Sequence, residues 1–262
     1  MPEGDTVYRT AARLHGVLAG DVLTSTDFRV PRFATADLSG RTVTEVVSRG
    51  KHLLTRMTGD LTLHSHLRME GAWRVYAPGE RWRGGPGFQI RVVLSTERVH
   101  AVGYRLPIVE LIRTSAEPGV VGHLGPDLLG ADWDPAEAVR RLLATPGREL
   151  GAALLDQRNL AGIGTVYLAE VCFLAGESPY TPVERVANLE QLVVRAHTLM
   201  ARNAQTGQQV TTGDPRPGRQ HWVYGRAPRP CRRCGTPVRV GEIGRAPQER
   251  VAFWCPTCQP SR

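Results

Sequence analysis

The first residues of the chain are suited to amine chemistry. Removal of Met1 would leave Pro2 with a free secondary amine, directly followed by the carboxylate of Glu3. A secondary amine that attacks a sugar carbon forms an iminium, which stays cationic without a proton and acts as an electron sink for breaking neighbouring C–O bonds. An α-amino group has a pKa of about 8, against about 10.4 for lysine, so more of it is neutral near pH 7. On its own, a Met-Pro start is also consistent with an ordinary processed terminus.

Four of the five cysteines have the spacing of a metal site. Cys231 and Cys234 form one Cys-x2-Cys pair, Cys255 and Cys258 form another, and 20 residues separate the pairs. This spacing predicts one structural zinc ion held by four thiolates. Two disulfides are the alternative, which the lack of an export signal disfavours. The fifth cysteine, Cys172, lies in an apolar stretch and is predicted to be a core residue.

The distribution of charge indicates a partner that carries phosphates. The net charge is +8, and residues 216–262 alone hold ten arginines against Glu242 and Glu249. Such a basic segment is typical of nucleic-acid binding, with a solvated arginine-rich surface as the alternative. Among the 33 basic residues, Lys51 is the one lysine. Unless that is chance, position 51 needs a compact ammonium rather than a planar guanidinium.

Length and composition predict a globular protein with room for two domains. The chain has 262 residues, of which 41% are hydrophobic and 22% are charged. No apolar run is long enough to span a membrane. Glu3 and Asp5 stand where a signal peptide would have basic residues. We therefore expect a cytoplasmic protein with no membrane partner.

A helix and a set of strands are predicted to position the first candidate residues. Apolar residues recur at helical spacing from Val7 to Leu18, and Asp5 or Thr6 would cap that helix. Pro2 and Glu3 then lie at a helix N-terminus, where the dipole favours an anion. Residues 21–111 alternate in short runs between glycine and proline turns, which predicts an antiparallel sandwich or barrel. The predicted strands are Val43–Val47, His52–Met57, Leu61–Leu67, Trp73–Tyr76, Phe88–Leu94 and Val109–Ile112.

Two residues at the end of the third predicted strand are candidates for DNA contacts. His66 would donate to a phosphate, and Met69 would act as an apolar wedge. A satisfied histidine and a core methionine are the alternatives. Lys51 follows Gly50 at the start of a strand, from which its ammonium could reach a cleft.

The second half of the chain is predicted to be helical. Residues 113–134 are rich in glycine and proline and predict a linker. The predicted helices are Pro135–Leu143, Leu150–Asp156, Val166–Leu174 and Asn188–Arg202. The turn Gly162-Ile163-Gly164 either cradles a phosphate or is a simple tight turn. Residues 203–221 predict a mobile loop.

The end of the chain is predicted to form a hairpin with the cysteine pairs at its base. Val238–Val240 and Val251–Trp254 are its candidate strands. Arg250 opens the second strand, where the hairpin would present it either to DNA or to solvent.

Four motifs then occur in the order found in one known family. They are Pro2-Glu3-Gly4, Ser48-Arg49-Gly50-Lys51, the set Leu155-Asp156-Gln157, Ala161-Gly162-Ile163-Gly164, Tyr167 and Glu170, and finally Val223-Tyr224-Gly225-Arg226 with the two cysteine pairs and Arg250. With these motifs the chain resembles the Fpg/Nei DNA glycosylases over essentially its whole length. Any one motif is modest, whereas four in order are highly specific.

The resemblance implies a bifunctional enzyme of base excision repair that acts on damaged DNA. Such an enzyme flips a damaged base out of the duplex, the Pro2 amine attacks C1′, and β,δ-elimination cuts the strand on both sides. Glu3 matches the family's general acid/base, and Lys51 matches a lysine that contacts a phosphate beside the lesion. His66, Tyr224 and Arg250 match further phosphate contacts.

Three departures from the family pattern bear on the substrate. Thr165 stands where an asparagine usually binds phosphate, and Asp5-Thr6 replaces a common Pro-Glu. The segment Val102–Val109 lacks the Asp-Pro-Arg-Arg-Phe run of the formamidopyrimidine branch. This points to the endonuclease VIII branch and to oxidised pyrimidines, with Met69 as the wedge. An Fpg-like enzyme for oxidised purines and a catalytically inactive reader of damaged DNA are the alternatives, and a zinc-ribbon transcription factor would leave the N-terminal motifs unexplained.

The predicted fold is α+β, in a chain expected to be monomeric. It comprises an antiparallel β-sandwich domain flanked by helices (1–115), a linker (116–134), a helix–two-turn–helix domain (135–215) and a four-cysteine zinc finger (216–262).

Overall fold

The computed structural model of the chain describes residues 2–247 and 249–260. Met1, whose removal the amine chemistry requires, lies outside the described residues. The chain divides into two compact units, with the boundary between His123 and Leu124. None of the helices in the described ranges has both the length and the apolar character needed to cross a membrane.

The first unit contains two helices and two antiparallel sheets of four strands each. Helix α1 spans Gly4–Leu18, and a short helix, α2, spans Pro118–Val121. The strands are β1 (Ser25–Phe28), β2 (Val43–Arg49), β3 (His52–Met57), β4 (Leu61–His66), β5 (Ala72–Tyr76), β6 (Ile90–Ser95), β7 (His100–Tyr104) and β8 (Ile108–Arg113). The sheet orders are β1-β6-β7-β5 and β2-β3-β4-β8. The predicted α+β class with antiparallel sheets is confirmed.

One apolar core holds the first unit together. Leu14 of α1, Leu53 and Leu63 of one sheet and Val92 and Leu94 of the other belong to a single buried cluster. Burial of a leucine or valine side chain contributes about 1.5–3 kcal/mol. The hydrophobic effect therefore holds α1 and both sheets together.

The start of α1 differs from the prediction. Val7 N–H donates to the Glu3 carbonyl at 3.0 Å, so the first intrahelical bond already begins at Glu3, which is the N-cap. Asp5 and Thr6 lie inside the first turn, and their predicted role as caps is wrong. Glu3 is consequently held at the helix N-terminus itself.

Some strands were missed or displaced because pairing, rather than local pattern, defines them. β1 and β7 were not predicted: β1 is polar and pairs only with β6, whereas β7 contains Gly103 and lies between β6 and β5. Phe88 is not in a strand but in a 3-10 turn, with 77% of its surface exposed. β6 begins two residues later, at Ile90.

The second unit is a set of helices followed by a hairpin. The helices are α3 (Pro135–Leu143), α4 (Leu150–Leu155), α5 (Thr165–Ala175) and α6 (Leu189–Thr206), and the hairpin strands are β9 (Arg239–Ile243) and β10 (Arg250–Trp254). The Asp134 carboxylate caps α3 by accepting from the backbone N–H groups of Ala136 and Glu137. α6 continues four residues beyond its predicted end and stops at Gly207, whose φ of 82° is left-handed. Residues 203–206 are thus helical rather than part of the predicted loop.

Candidate functional site

The amine and its neighbouring carboxylate lie at the start of α1. Glu3 has an extended backbone and is fully buried, and Pro2 directly before it is half-buried. α1 packs against β2 and β3. A carboxylate in this position is shielded from water, which suits it for exchanging protons with a bound substrate.

Lys51 lies in the turn that joins β2 and β3. Gly50 has a left-handed φ of 57°, and Arg49 and His52 on either side pair across the two strands. The Lys51 ammonium is close enough to lower the pKa of both His52 and His66. The structure therefore gathers the one lysine of the chain and two histidines at one edge of the sheet.

Both of these histidines are held neutral at pH 7. Burial, followed by the nearby His66, His64, His123 and Lys51, lowers the pKa of His52 to about 3. Burial and then Lys51 lower the pKa of His66 to about 4. Each ring can therefore serve as a hydrogen-bond donor without carrying a charge.

His66 and Met69 lie at the turn between β4 and β5. His66 Nδ1 accepts the backbone N–H of Arg68 at 2.9 Å, and Arg68 has a left-handed φ of 44°. Met69 is 70% exposed. An apolar side chain with that exposure is available to insert between bases, and the core alternative for Met69 does not hold.

In the second unit, Gln157 braces the turn before α5. Its amide nitrogen donates to the carbonyls of Leu155 and Ile163 at 2.8 and 2.9 Å, and its amide oxygen accepts from Gly162 N–H at 3.0 Å. Thr165 is buried and is the first residue of α5. Gln157 therefore holds the turn that leads into the N-terminus of α5, and the N-terminus of a helix is an end at which an anion can bind.

A buried carboxylate organises the segment that carries Tyr224. Glu170 is fully buried and accepts from the backbone N–H groups of Val223 and Tyr224 at 2.9 and 2.8 Å. The Tyr224 ring packs edge-on against Phe253 of β10, with centroids 5.3 Å apart. Arg250, the first residue of β10, is exposed and pairs with Ile243. Tyr224 and the hairpin that presents Arg250 therefore form one local structure.

The role of Glu170 was missed by sequence reasoning, although a signal existed. Glu170 is the one charged residue in the otherwise apolar run of α5.

The histidines of β4 also gave a signal in the sequence. The spacing His64-x-His66 on a strand places both rings on one face of the sheet. The partner of His64 on the neighbouring strand could not be known without the strand register.

The four predicted cysteine ligands lie together. The Sγ atoms of Cys231, Cys234, Cys255 and Cys258 are all within 4.8 Å of one another. A tetrahedral site with Zn–S bonds of about 2.3 Å has Sγ···Sγ edges of about 3.8 Å, and the pairs Cys234–Cys255 and Cys231–Cys258 are 3.4 and 4.0 Å apart. These separations exceed the S–S bond of about 2.05 Å, and all five cysteines are free, so the two-disulfide alternative is wrong. Cys172 is fully buried as predicted, and burial raises its pKa to about 12.

Comparison with known proteins assigns the class. Residues 1–123 match the family model described as the formamidopyrimidine-DNA glycosylase N-terminal domain. The fold is shared with the formamidopyrimidine-DNA glycosylase of Lactococcus lactis, solved non-covalently bound to DNA containing an AP site, at a TM-score of 0.81 and 23% identity, over 99% of this chain and 100% of that one.

Curated relatives specify the branch. The chain is 59% identical to a probable endonuclease 8 2 of Streptomyces coelicolor, over 99% of this chain and 94% of the relative. It is 49% identical to the DNA-(apurinic or apyrimidinic site) lyase Nei2 of Mycolicibacterium smegmatis, over 99% of both chains. It is 32% identical to endonuclease 8 of Escherichia coli, over 99% of this chain and 100% of the relative. The chain therefore belongs to the Fpg/Nei family of DNA glycosylases and AP lyases, in its endonuclease VIII branch.

Proposed function

We propose that this protein removes oxidised bases, chiefly pyrimidines, from DNA and then cleaves the abasic strand by β,δ-elimination through Pro2. The observation that carries the proposal is the pairing of Pro2 with a fully buried carboxylate, Glu3, at the N-terminus of α1. Lys51 is the one lysine in the chain and is assigned to phosphate binding, which leaves the terminal amine as the nucleophile.

In the proposed reaction the Pro2 nitrogen forms a bond to C1′ as the bond between C1′ and the base breaks. The departing base takes the electron pair of that bond and a proton from water. The proton lost from the Pro2 nitrogen passes to the Glu3 carboxylate, and Glu3 then gives a proton to the sugar-ring oxygen as the ring opens, which leaves an iminium. The iminium accepts the electron pair left by loss of a C2′ proton, which allows the 3′ phosphate to leave. A second elimination releases the 5′ phosphate, and water then hydrolyses the iminium to restore the amine.

The remaining site residues are assigned to binding. In the first unit, Lys51 and His66 would contact phosphate and Met69 would fill the gap left by the flipped base. In the second unit, Thr165 at the α5 N-terminus, Tyr224 and Arg250 would contact the DNA backbone. Phosphate contacts of this kind fix the register of a protein on DNA and make its affinity depend on salt.

The four thiolates would hold one structural zinc ion. When bound by Cys231, Cys234, Cys255 and Cys258 in a closed site, this ion would stabilise the fold of the hairpin.

The proposed domains follow one another along the sequence. A catalytic domain at 1–115 is followed by a linker at 116–134, a helix–two-turn–helix domain at 135–215 and the zinc finger at 216–262. We assign the protein as a cytoplasmic monomer that associates with the nucleoid when bound to DNA.

The assignment to pyrimidines is supported by a short connection in the first unit. β7 ends at Tyr104 and β8 begins at Ile108, so three residues join them. Arg105 in this connection has a left-handed φ of 49°, and its guanidinium donates to the Gln89 side chain. The one arginine of this short turn is thus tied to Gln89, and the turn lacks the Asp-Pro-Arg-Arg-Phe run of the formamidopyrimidine branch.

Borohydride trapping tests the proposal. Protein that starts at Pro2 and protein that retains Met1 are mixed with an oligonucleotide containing one abasic site, and borohydride reduces any iminium to a stable adduct. We expect an adduct only with the free Pro2 terminus. No adduct with either protein, while DNA binding persists, would contradict the proposal and identify a catalytically silent reader of damaged DNA.

A further inference from the structure

A row of polar side chains crosses one face of the β2-β3-β4-β8 sheet. His52 pairs with His66 across β3 and β4, and His64 pairs with Glu110 across β4 and β8. Residues paired in this way point to the same face, and so do residues two apart on one strand. The four side chains therefore lie side by side on the face opposite to Leu53 and the apolar core.

Three of these side chains form a continuous chain of hydrogen bonds. His64 Nδ1 lies 3.0 Å from the Glu110 carboxylate, and His52 Nδ1 lies 2.9 Å from His64 Nε2. The His52 and His64 rings are 23° from parallel with centroids 5.1 Å apart. Because the ring nitrogens are so much closer than the centroids, the two rings meet edge to edge.

The order of donors and acceptors along the chain follows from Glu110. A carboxylate only accepts, so His64 carries a proton on Nδ1, and the Nδ1–H tautomer of its ring offers the lone pair of Nε2. His52 must then donate from Nδ1. This order fixes the tautomer of His52, and His64, which is 2% exposed, has little freedom to rotate away.

The series of hydrogen bonds from Glu110 to His52 ends beside the ring of His66. His52 and His66 meet at 87° with centroids 5.1 Å apart, so the edge of one ring abuts the face of the other. His66 Nδ1 already accepts the backbone N–H of Arg68, which leaves Nε2–H as the donor of the neutral ring. Two constraints, one from His52 and one from Arg68, thus hold the His66 ring.

We propose that Glu110, His64 and His52 are positioning residues that hold His66 with its Nε2–H ready to donate to a DNA phosphate. The inference rests on the proposed function, because it takes His66 as a phosphate contact. Lys51 and Arg68 add positive charge around the two outer rings, His123 lies near His52, and Glu117 adds negative charge near His64. Burial, and then the nearby positive charge, lowers the pKa of His52 and His66 and keeps both rings neutral, as the ordered series of hydrogen bonds requires.

The first test measures tautomers in the DNA-free protein. Long-range ¹⁵N–¹H NMR of the imidazoles at pH 7 distinguishes Nδ1–H from Nε2–H rings. We expect His52 as the Nδ1–H form and His66 as the Nε2–H form. The opposite tautomer at either ring would overturn the proposal, whatever the protein does to DNA.

The second test measures Kd for duplex DNA containing a tetrahydrofuran abasic analogue. We expect His64→Leu to weaken binding about tenfold and His64→Gln to bind within about twofold of wild type, because an amide can accept from His52 and donate to Glu110. His66→Gln should weaken binding by a similar factor. Adding His64→Leu to His66→Gln should then leave Kd at the value of His66→Gln alone, because Glu110, His64 and His52 act on DNA binding through His66. His100→Leu on the other sheet is the matched control and should bind like wild type.

The outcomes separate this proposal from the proposed function. Independent, multiplying effects of His64→Leu and His66→Gln, or no effect of His64→Leu, would overturn the positioning role even if wild type forms a borohydride adduct. Absence of that adduct would overturn the lyase assignment while leaving the tautomers and the coupling intact. If His64→Leu fails to fold, the tautomers of the wild-type protein still decide.

Discussion

Glu170 in α5 and Tyr224, 54 residues further along the chain, are joined by a 2.8 Å hydrogen bond from the Tyr224 backbone N–H to the Glu170 carboxylate. The same carboxylate accepts from the N–H groups of Trp222 and Val223 at 2.8 and 2.9 Å, and from the Thr211 hydroxyl. Four donors thus converge on one buried charge. The segment that carries Tyr224 depends on this carboxylate for its shape.

Replacing Glu170 with glutamine should therefore lower stability and DNA affinity together. The new amide NH₂ would oppose at least one of the converging donors, and a buried donor left without an acceptor costs about 1–3 kcal/mol. Thermal unfolding and DNA-binding titrations check this. Glu190→Gln on the exposed side of α6 is the matched control, and an unchanged melting temperature in Glu170→Gln would contradict the assigned role.

Glu170 also shows which features the sequence alone can predict and which it cannot. All the helices except the short α2, which lies within the predicted linker, were predicted to within a few residues, because an apolar period of 3.6 is a local property. α3 matches its predicted bounds, Pro135–Leu143. The residues that Glu170 binds are distant in sequence. No local sequence pattern indicates that three consecutive backbone N–H groups donate to its carboxylate. β1 and β7 were missed for the same reason.

The candidate site likewise contains residues that could be predicted from the sequence and contacts that could not. Pro2, Glu3 and the four cysteines could be predicted because their chemistry depends on residue type and short spacing. The contacts among His52, His64 and Glu110 could not, because they depend on which residues face each other across β3, β4 and β8. A register shift of one residue would send these side chains to the opposite face.

Cys255→Ser should release the metal ion and weaken DNA binding. A serine hydroxyl is a poor replacement for a thiolate in a closed four-sulfur site, and loss of the ion removes folding free energy from the hairpin. Zinc content by mass spectrometry and DNA affinity are the measurements. Cys172→Ala, which removes a buried cysteine outside the cluster, should keep its zinc. Unchanged DNA affinity in metal-free Cys255→Ser would remove the zinc finger from the account of DNA binding.

Stability should decline as the pH falls below about 6.5. His52 and His66 have pKa values lowered to about 3 and about 4 in the folded protein, whereas an unfolded histidine titrates near 6.5. Between about pH 4 and pH 6.5 the unfolded chain therefore binds up to two more protons, so the free energy of unfolding rises with pH there. The limiting slope for two protons is about 2.7 kcal/mol per pH unit.

Urea unfolding at pH 4.5, 5.5, 6.5 and 7.5 measures this slope. In a double variant, His52→Gln with His66→Gln, the slope over this window should become shallower, because glutamine does not titrate. An identical slope in the double variant would show that other groups set the acid sensitivity of the protein.

Lys51→Arg should reduce the rate of adduct formation by about tenfold or more although it keeps the positive charge. Lys51 occupies a turn closed by Gly50 in a left-handed conformation, beside the half-buried rings of His52 and His66. A compact ammonium with three donors fits such a place, whereas a planar guanidinium needs more room and a different donor geometry. Single-turnover borohydride trapping gives the rate, and Arg98→Lys at an exposed ion pair with Asp21 is the matched control. If Lys51→Arg forms the adduct as fast as wild type, then the presence of a single lysine among 33 basic residues is an accident of composition.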